Sequence, residues 1–220
     1  MKGIVFDLDG TLAYTLGDIQ AALNHAMKTM GYQGVDIGLV RSVVGNGLRN
    51  ALERCMDSLG ASYSKSLIDK GMKSLEAYYN AHFCDQTRLY DGMGDLVARL
   101  KQEGCALGVL SNKKEELAIK VIDILFPSRP FAFVAGQGGR YPNKPDCSGL
   151  VDFCTQNDVK LEDFMYIGDS EVDFQTAQNM SASVVLVSWG YRDEAYLRAF
   201  TQDIAHDAGQ LAEMISRRLS

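Results

Sequence analysis

Four short β-rich runs, each closed by a polar residue, constrain this chain more than any other feature. Ile4-Val5-Phe6 stops at Asp7, and Ala106-Leu107-Gly108-Val109-Leu110 stops at Ser111. Phe164-Met165-Tyr166-Ile167-Gly168 stops at Asp169, and Ser183-Val184-Val185-Leu186-Val187 stops at Ser188. Helical patterns follow them. Apolar strands alternating with helices predict a parallel sheet covered on both faces, in a doubly wound, Rossmann-like α/β core. Ligands of such sheets sit beyond the carboxyl ends of the strands. Asp7, Ser111 and Asp169 each hold that position, so three polar residues remote in sequence are expected to converge. Further strands are expected near Phe131 and at Asp203-Ile204-Ala205, with a last helix capped by Asp207.

One connection is too long for that scheme. A strand–helix–strand crossover takes roughly 30 residues or a little more, yet Phe6 and Ala106 lie about three times as far apart. The excess predicts a helical cap inserted after the first strand, over residues 15–86, with residues 1–14 and 87–220 forming the core. Asp18 to Met30 places Ile19, Ala22, Leu23, Ala26, Met27 and Met30 at helical spacing, and Gly31 follows. Leu48 to Leu59 and Ser66 to Phe83 repeat the pattern. An insert so placed is expected to act as a lid over the crevice, hinged at Ala13 to Leu16 and Asp85 to Tyr90.

Composition narrows the function classes. Lys plus Arg is 22 against 28 Asp plus Glu, a net charge of −6 without a basic run. Such a chain is poorly suited to gripping a polyanionic backbone, so nucleic acid is not an expected partner. The five cysteines show no close spacing and are expected to be reduced thiols. Asp7 and Asp9 interrupt the first apolar stretch, against a signal peptide, and no apolar run is long enough for a bilayer. A cytoplasmic monomer or homodimer without membrane contact is the expectation.

Asp7-Leu8-Asp9-Gly10-Thr11-Leu12 crowds two carboxylates at a strand end, and Gly168-Asp169-Ser170-Glu171-Val172-Asp173 brings a second acidic cluster to another. Exposed loop aspartates would account for the first group alone. Four Asp residues aimed at one crevice would repel strongly without a hard cation such as Mg²⁺. Ser111 or Asn112 reads either as the cap of a helix from Lys113 or as a phosphate contact. Lys144, between Pro142 and Pro145, reads on its own as a solvated loop lysine. In the insert, Gly45-Asn46-Gly47 with Arg49 reads as a helix break or as a substrate-facing loop.

The ordered set Asp7-Leu8-Asp9-Gly10-Thr11, Ser111-Asn112-Lys113, Lys144-Pro145-Asp146 and Gly168-Asp169-Ser170 through Asp173 resembles the four signatures of the haloacid dehalogenase-like hydrolases. The resemblance spans Lys2 to about Arg192, and the Gly-Asn-Gly loop resembles the phosphoglycolate phosphatase branch. It implies a Mg²⁺-dependent phosphatase acting on a small phosphorylated metabolite, with phosphoglycolate favoured. Asp7 is then the nucleophile that forms an aspartyl-phosphate, and Asp9 the proton donor and acceptor. Ser111 and Lys144 complete the catalytic set. Thr11 and Asn112, with Gly45, Asn46 and Arg49 of the cap, are expected to face substrate. Asp7, the Asp9 carbonyl and Asp169 are expected to bind Mg²⁺, with Asp173 bound directly or one step behind. The chain departs from the pattern at Tyr14-Thr15, Cys147 and Ser181-Ala182, none of them a catalytic position. A phosphosugar mutase with the same intermediate and a non-catalytic phosphate-binding module are the rival readings.

Overall fold

The structure, a computed structural model, describes residues 1–219. Two compact units emerge: Met1–Tyr14 together with the chain from Leu89 onward, and Thr15–Arg88. In chain order the elements are β1 (Gly3–Phe6), β2 (Ala13–Tyr14), α1 (Leu16–Thr29), α2 (Ile37–Val43), α3 (Leu48–Ser58), α4 (Lys65–Ala81) and β3 (Arg88–Leu89). There follow α5 (Met93–Gln102), β4 (Ala106–Lys114), α6 (Glu115–Leu125), β5 (Phe133–Gln137), α7 (Ser148–Gln156) and a 3-10 turn at Leu161–Asp163. The chain closes with β6 (Phe164–Gly168), α8 (Glu171–Asn179), β7 (Ser183–Val187), α9 (Glu194–Leu197), β8 (Ile204–Ala205) and α10 (Ala208–Arg218).

The first unit is built on a six-stranded parallel sheet in the order β5-β4-β1-β6-β7-β8. The chain fills one side of β1 first and then the other, so its switch point lies at β1, where open α/β sheets form their ligand crevice. Register decides which residues meet there. Phe6 stands opposite Val109 and Ile167, so Asp7, Ser111 and Asp169 leave three adjacent strands at nearly the same level. Asp7 stays tied to the sheet by its N–H, which donates to Ile167 O at 2.8 Å. Below this rim one face is a continuous apolar layer including Val5, Leu110, Leu150, Phe153, Phe164 and Leu186. Burial of such side chains is the main favourable term holding the sheet to its helices.

The end of β4 differs from expectation. The strand continues through Lys114, which pairs with Gln137 of β5 across a register shift, and the helix begins only at Glu115. Neither Ser111 nor Asn112 is therefore a helix cap. The physical reason is the neighbouring strand: Gly136 lets it approach so closely that a Cβ there would sit 2.6 Å from Lys113 O. The Gly136 N–H donates to Glu115 Oε2 at 3.1 Å, which carries the pairing past Ser111.

The second unit is helical, with α1 packed on α4 and with α2 and α3 completing it. Gly71 of α4 allows the close approach, since a Cβ there would press on Met30 and Leu52. Helix α2 was not expected; seven residues are too few to display a period, and its start is set by Asp36, which accepts the Leu39 N–H at 2.9 Å. Asp18, buried in α1, joins the two ends of this unit. It accepts the N–H groups of Gln86 at 3.0 Å and Thr87 at 2.9 Å, and the Thr87 hydroxyl at 2.7 Å. Asp18→Ala strands those donors at a cost on the order of 2–3 kcal/mol. A fall of several degrees in melting temperature, with earlier proteolysis within 15–88, is expected by thermal circular dichroism and limited trypsin digestion. An unchanged melting point would show that Asp18 does not tie the unit together.

Candidate active site

At the carboxyl rim, Asp7 Oδ1 accepts from Lys144 Nζ at 2.7 Å, and the same ammonium donates to Asp173 Oδ1 at 2.7 Å. Lys144 is buried, contrary to its reading as a solvated loop lysine. Asn112 holds it there: its Oδ1 accepts the Lys144 N–H at 2.8 Å and its Nδ2 donates to the Lys144 carbonyl at 3.3 Å. The Lys144–Pro145 bond is cis. The loop before it is anchored to α7, where Asp152 accepts from Arg140, Tyr141 and Gln156.

Asp173 lies in the first turn of α8 with both oxygens committed. Oδ1 accepts from Lys144 and from Tyr166 Oη at 3.0 Å. Oδ2 accepts the N–H groups of Asp169 at 3.2 Å and Ser170 at 3.1 Å, and the Ser170 hydroxyl at 2.6 Å. Asp169 is held differently. Its Oδ2 accepts the Tyr191 N–H at 2.7 Å, and Gly10 and Gly190 close on the carboxylate so tightly that a side chain on either would collide with it. Gly10 also sits at φ +96, a conformation natural to glycine. Asp7, Asp169 and Asp173 offer carboxylate oxygens all within 4.8 Å of one another.

Asp9 and Lys113 form a second pair, with Nζ 2.9 Å from Asp9 Oδ1. Ser111 is buried and accepts the Lys113 N–H at 3.2 Å. Thr11 is fully buried, and its Oγ1 lacks a hydrogen-bond partner among the described residues. Its carbonyl accepts from Trp189 Nε1 at 3.1 Å. Gly45, Asn46 and Arg49 belong to the second unit. Arg49 Nη2 lies 2.7 Å from Asp69 and Nη1 lies 3.8 Å from Glu53, so its charge is met by acids of that unit.

The rim thus gathers four carboxylates around two ammonium groups. Burial pushes Asp7 up to about 7, with Lys144 opposing the rise. Asp169 is driven well above the usual carboxylate range, first by burial and then by Asp173 and Asp7. Burial also works against the Asp173 anion, yet Lys144 and the hydroxyls of Ser170 and Tyr166 hold it below the ordinary value. Lys144 loses solvation too, but Asp173 and Asp7 raise it well above its usual range. Two negative charges are left over among hard oxygen donors, which suits a divalent cation such as Mg²⁺.

Sequence reasoning did not single out Tyr166 or the two hydrogen bonds of the Trp189–Tyr191 segment. A tyrosine in an otherwise aliphatic strand was the available signal for the first. For the second, Trp189-Gly190-Tyr191-Arg192 read equally as a crevice border and as a structural loop.

A parallel sheet carrying an acidic, lysine-bridged cluster at its strand ends defines a doubly wound α/β protein with a charged rim at its switch point. Residues 4–187 match the model of the haloacid dehalogenase-like hydrolases. A phosphoglycolate phosphatase of Mesorhizobium japonicum is 31% identical, over 97% of this chain and 95% of that one. Another from Chromobacterium violaceum is 27% identical, over 90% of each. A solved structure from Lactobacillus delbrueckii subsp. bulgaricus superposes with a TM-score of 0.91 at 27% identity, covering 98% of this chain and 99% of that one. This chain belongs to the haloacid dehalogenase-like hydrolases. No helix of the described residues is long and apolar enough to cross a membrane.

The raised Asp7 and Asp169 give a pH signature. A carboxyl that titrates higher folded than unfolded, where the usual value is about 3.9, favours the folded state below that value. That contribution is lost as pH rises from about 4 through about 7. The metal-free protein is therefore expected to melt lower at about pH 7.5 than at about pH 5, and Mg²⁺ to raise the melting temperature more at the higher pH. Calorimetry in EDTA and in Mg²⁺ at both values checks this. An equal Mg²⁺ effect at both would contradict it.

Proposed function

We propose that this chain hydrolyses small phosphomonoesters through an aspartyl-phosphate on Asp7, with Mg²⁺ as cofactor and 2-phosphoglycolate as the favoured substrate. The observation that carries the reading is that Asp7 and Asp9, two residues apart on the loop after β1, each meet a separate buried ammonium. One carboxylate is thereby aligned for attack while the other remains beside it for proton transfer, the two tasks a covalent phosphatase must divide.

In the first half-reaction an Asp7 oxygen attacks phosphorus, forming the acyl-phosphate bond as the ester P–O bond breaks. Asp9 delivers a proton to the departing alkoxide. In the second, water attacks phosphorus, Asp9 takes the water proton, and Asp7 leaves with inorganic phosphate freed. Lys144 spreads the charge of the nucleophile without competing for phosphorus. The Ser111 hydroxyl and the backbone N–H of Asn112, beyond the end of the apolar part of β4, donate to phosphoryl oxygens. Asp7, the Asp9 carbonyl and Asp169 would hold Mg²⁺, and bound Mg²⁺ supplies charge neutralisation at the phosphoryl group. Asp173 serves from behind, since its oxygens are taken by Lys144, Tyr166, Ser170 and the Asp169 N–H. The substrate preference rests on relatives aligned over nearly the whole chain that are phosphoglycolate phosphatases.

Asp7→Asn is expected to lower turnover of p-nitrophenyl phosphate by roughly a thousandfold or more, with the melting temperature close to wild type. Substantial remaining turnover would refute covalent catalysis by Asp7. Chelation with EDTA is expected to stop hydrolysis and Mg²⁺ to restore it. Indifference to both would remove the metal.

A further inference from the structure

Lys113 is a second buried ammonium, to which the hydrolytic scheme gives no task beyond holding Asp9. Its side chain is only 4% exposed, whereas its partner Asp9 is 19% exposed. Burying a lysine costs free energy unless an anion meets it, and Asp9 Oδ1 at 2.9 Å supplies one. Orienting Asp9 would be a sufficient role, but the chemistry of the pair reaches further. An ammonium carries three donors on a flexible stem and can serve two anions together. Lys144 does so in this same rim, at 2.7 Å from both Asp7 and Asp173.

The position of Lys113 sets which second anion it can meet. On the reading that Asp9 protonates the leaving oxygen, that oxygen must come within about 3 Å of the Asp9 carboxyl. In the phosphate ester of a short 2-hydroxy acid, the carboxylate is attached to the very carbon that bears the ester oxygen. Its oxygens therefore fall in the neighbourhood of the leaving oxygen, where Lys113 Nζ already stands beside Asp9. The backbone supports this arrangement, because the Lys113 N–H donates to Ser111 Oγ and ties the ammonium-bearing residue to the proposed phosphate contact.

We propose that Lys113 is a specificity-determining residue: its ammonium binds an anionic group on the leaving alcohol while remaining on Asp9. The substrate class is then phosphomonoesters of small 2-hydroxy acids. Esters of plain alcohols, having nothing to place against Nζ, gain no such contact. The inference rests on the phosphatase reading but goes beyond it, since it names a residue of the core unit that reads the leaving group.

Three substrates separate the possible roles of Lys113. 2-Phosphoglycolate carries the anion, its carboxyl methyl ester keeps a similar alkoxide without the charge, and p-nitrophenyl phosphate has a leaving group that needs little protonation. Lys113→Met is expected to lower kcat/KM for 2-phosphoglycolate by roughly 30-fold or more beyond whatever it costs with the methyl ester or p-nitrophenyl phosphate. Lys113→Arg is expected to recover much of the loss. An equal fall for 2-phosphoglycolate and its methyl ester, with p-nitrophenyl phosphate spared, would mean that Lys113 only positions Asp9, and would overturn the proposal. An equal fall for all three would overturn it as well. Should Lys113→Met prove too unstable to assay, Lys113→Gln gives the same comparison. Wild-type enzyme that turns over p-nitrophenyl phosphate but shows no preference for 2-phosphoglycolate over its methyl ester would sink the proposal and leave the phosphatase reading standing. Wild-type enzyme that hydrolyses none of the three would sink both.

Discussion

The Lys144 ammonium, shared at 2.7 Å between Asp7 and Asp173, is the contact on which the rest of the rim depends. Without it three buried carboxylates would face one another with no internal cation between them, and breaking a buried pair leaves a charge costing several kcal/mol. The surroundings show how much structure is devoted to keeping this one atom in place. Asn112 grips both the N–H and the carbonyl of Lys144, as a neighbouring strand would. Tyr166 and Ser170 fix the Asp173 carboxylate from two directions. Asp152 of α7 gathers Arg140 and Tyr141 of the preceding loop.

The sheet supplies the other half of the geometry. Parallel register sets Asp7, Ser111 and Asp169 at nearly one level, because Asp7 and Asp169 follow, and Ser111 lies within, strands paired to one another. Small residues then let the layers close. Gly10 and Gly190 allow two backbone segments to lie against the Asp169 carboxylate, and Gly168 does the same for Asp173. Trp189 fastens the second of those segments to the Thr11 carbonyl. The rim is therefore rigid where it must hold charge, and its rigidity is mostly backbone.

That division explains what could be read from the sequence. The α/β core was legible because apolar runs ending in polar residues encode both the strands and their rim. Strand ends located Asp7, Ser111 and Asp169. Lys144 was not legible on local grounds, since its burial depends on Asn112, thirty-two residues earlier in the chain. Lys113 was read into a helix that begins two residues later, because pairing between Lys114 and Gln137 prolongs β4, and the demand of a neighbouring strand leaves no local mark. Helix α2 escaped because seven residues barely complete two turns. The Tyr191 N–H on Asp169 could not be anticipated at all: it is a backbone donor, and any residue there would provide it.

Two aspartates four residues apart show most clearly how this rim sorts its charges. Asp173, in the first turn of α8, and Asp169, just before that helix, share an acid type and near-total burial, yet the first titrates below the ordinary range and the second well above it. Local hydrogen bonds make the difference. Asp173 has an ammonium, two hydroxyls and two N–H groups, so its charge is stabilised entirely from within the protein. Asp169 has burial and the charges of Asp173 and Asp7 against it, and only the Tyr191 N–H and the more distant Lys144 charge in its favour. Of the two anions, that of Asp169 is therefore the less stabilised by the chain itself. A fixed anion that anchors the internal cation, beside a less satisfied one, is an electrostatic pattern that suits the proposed Mg²⁺ site.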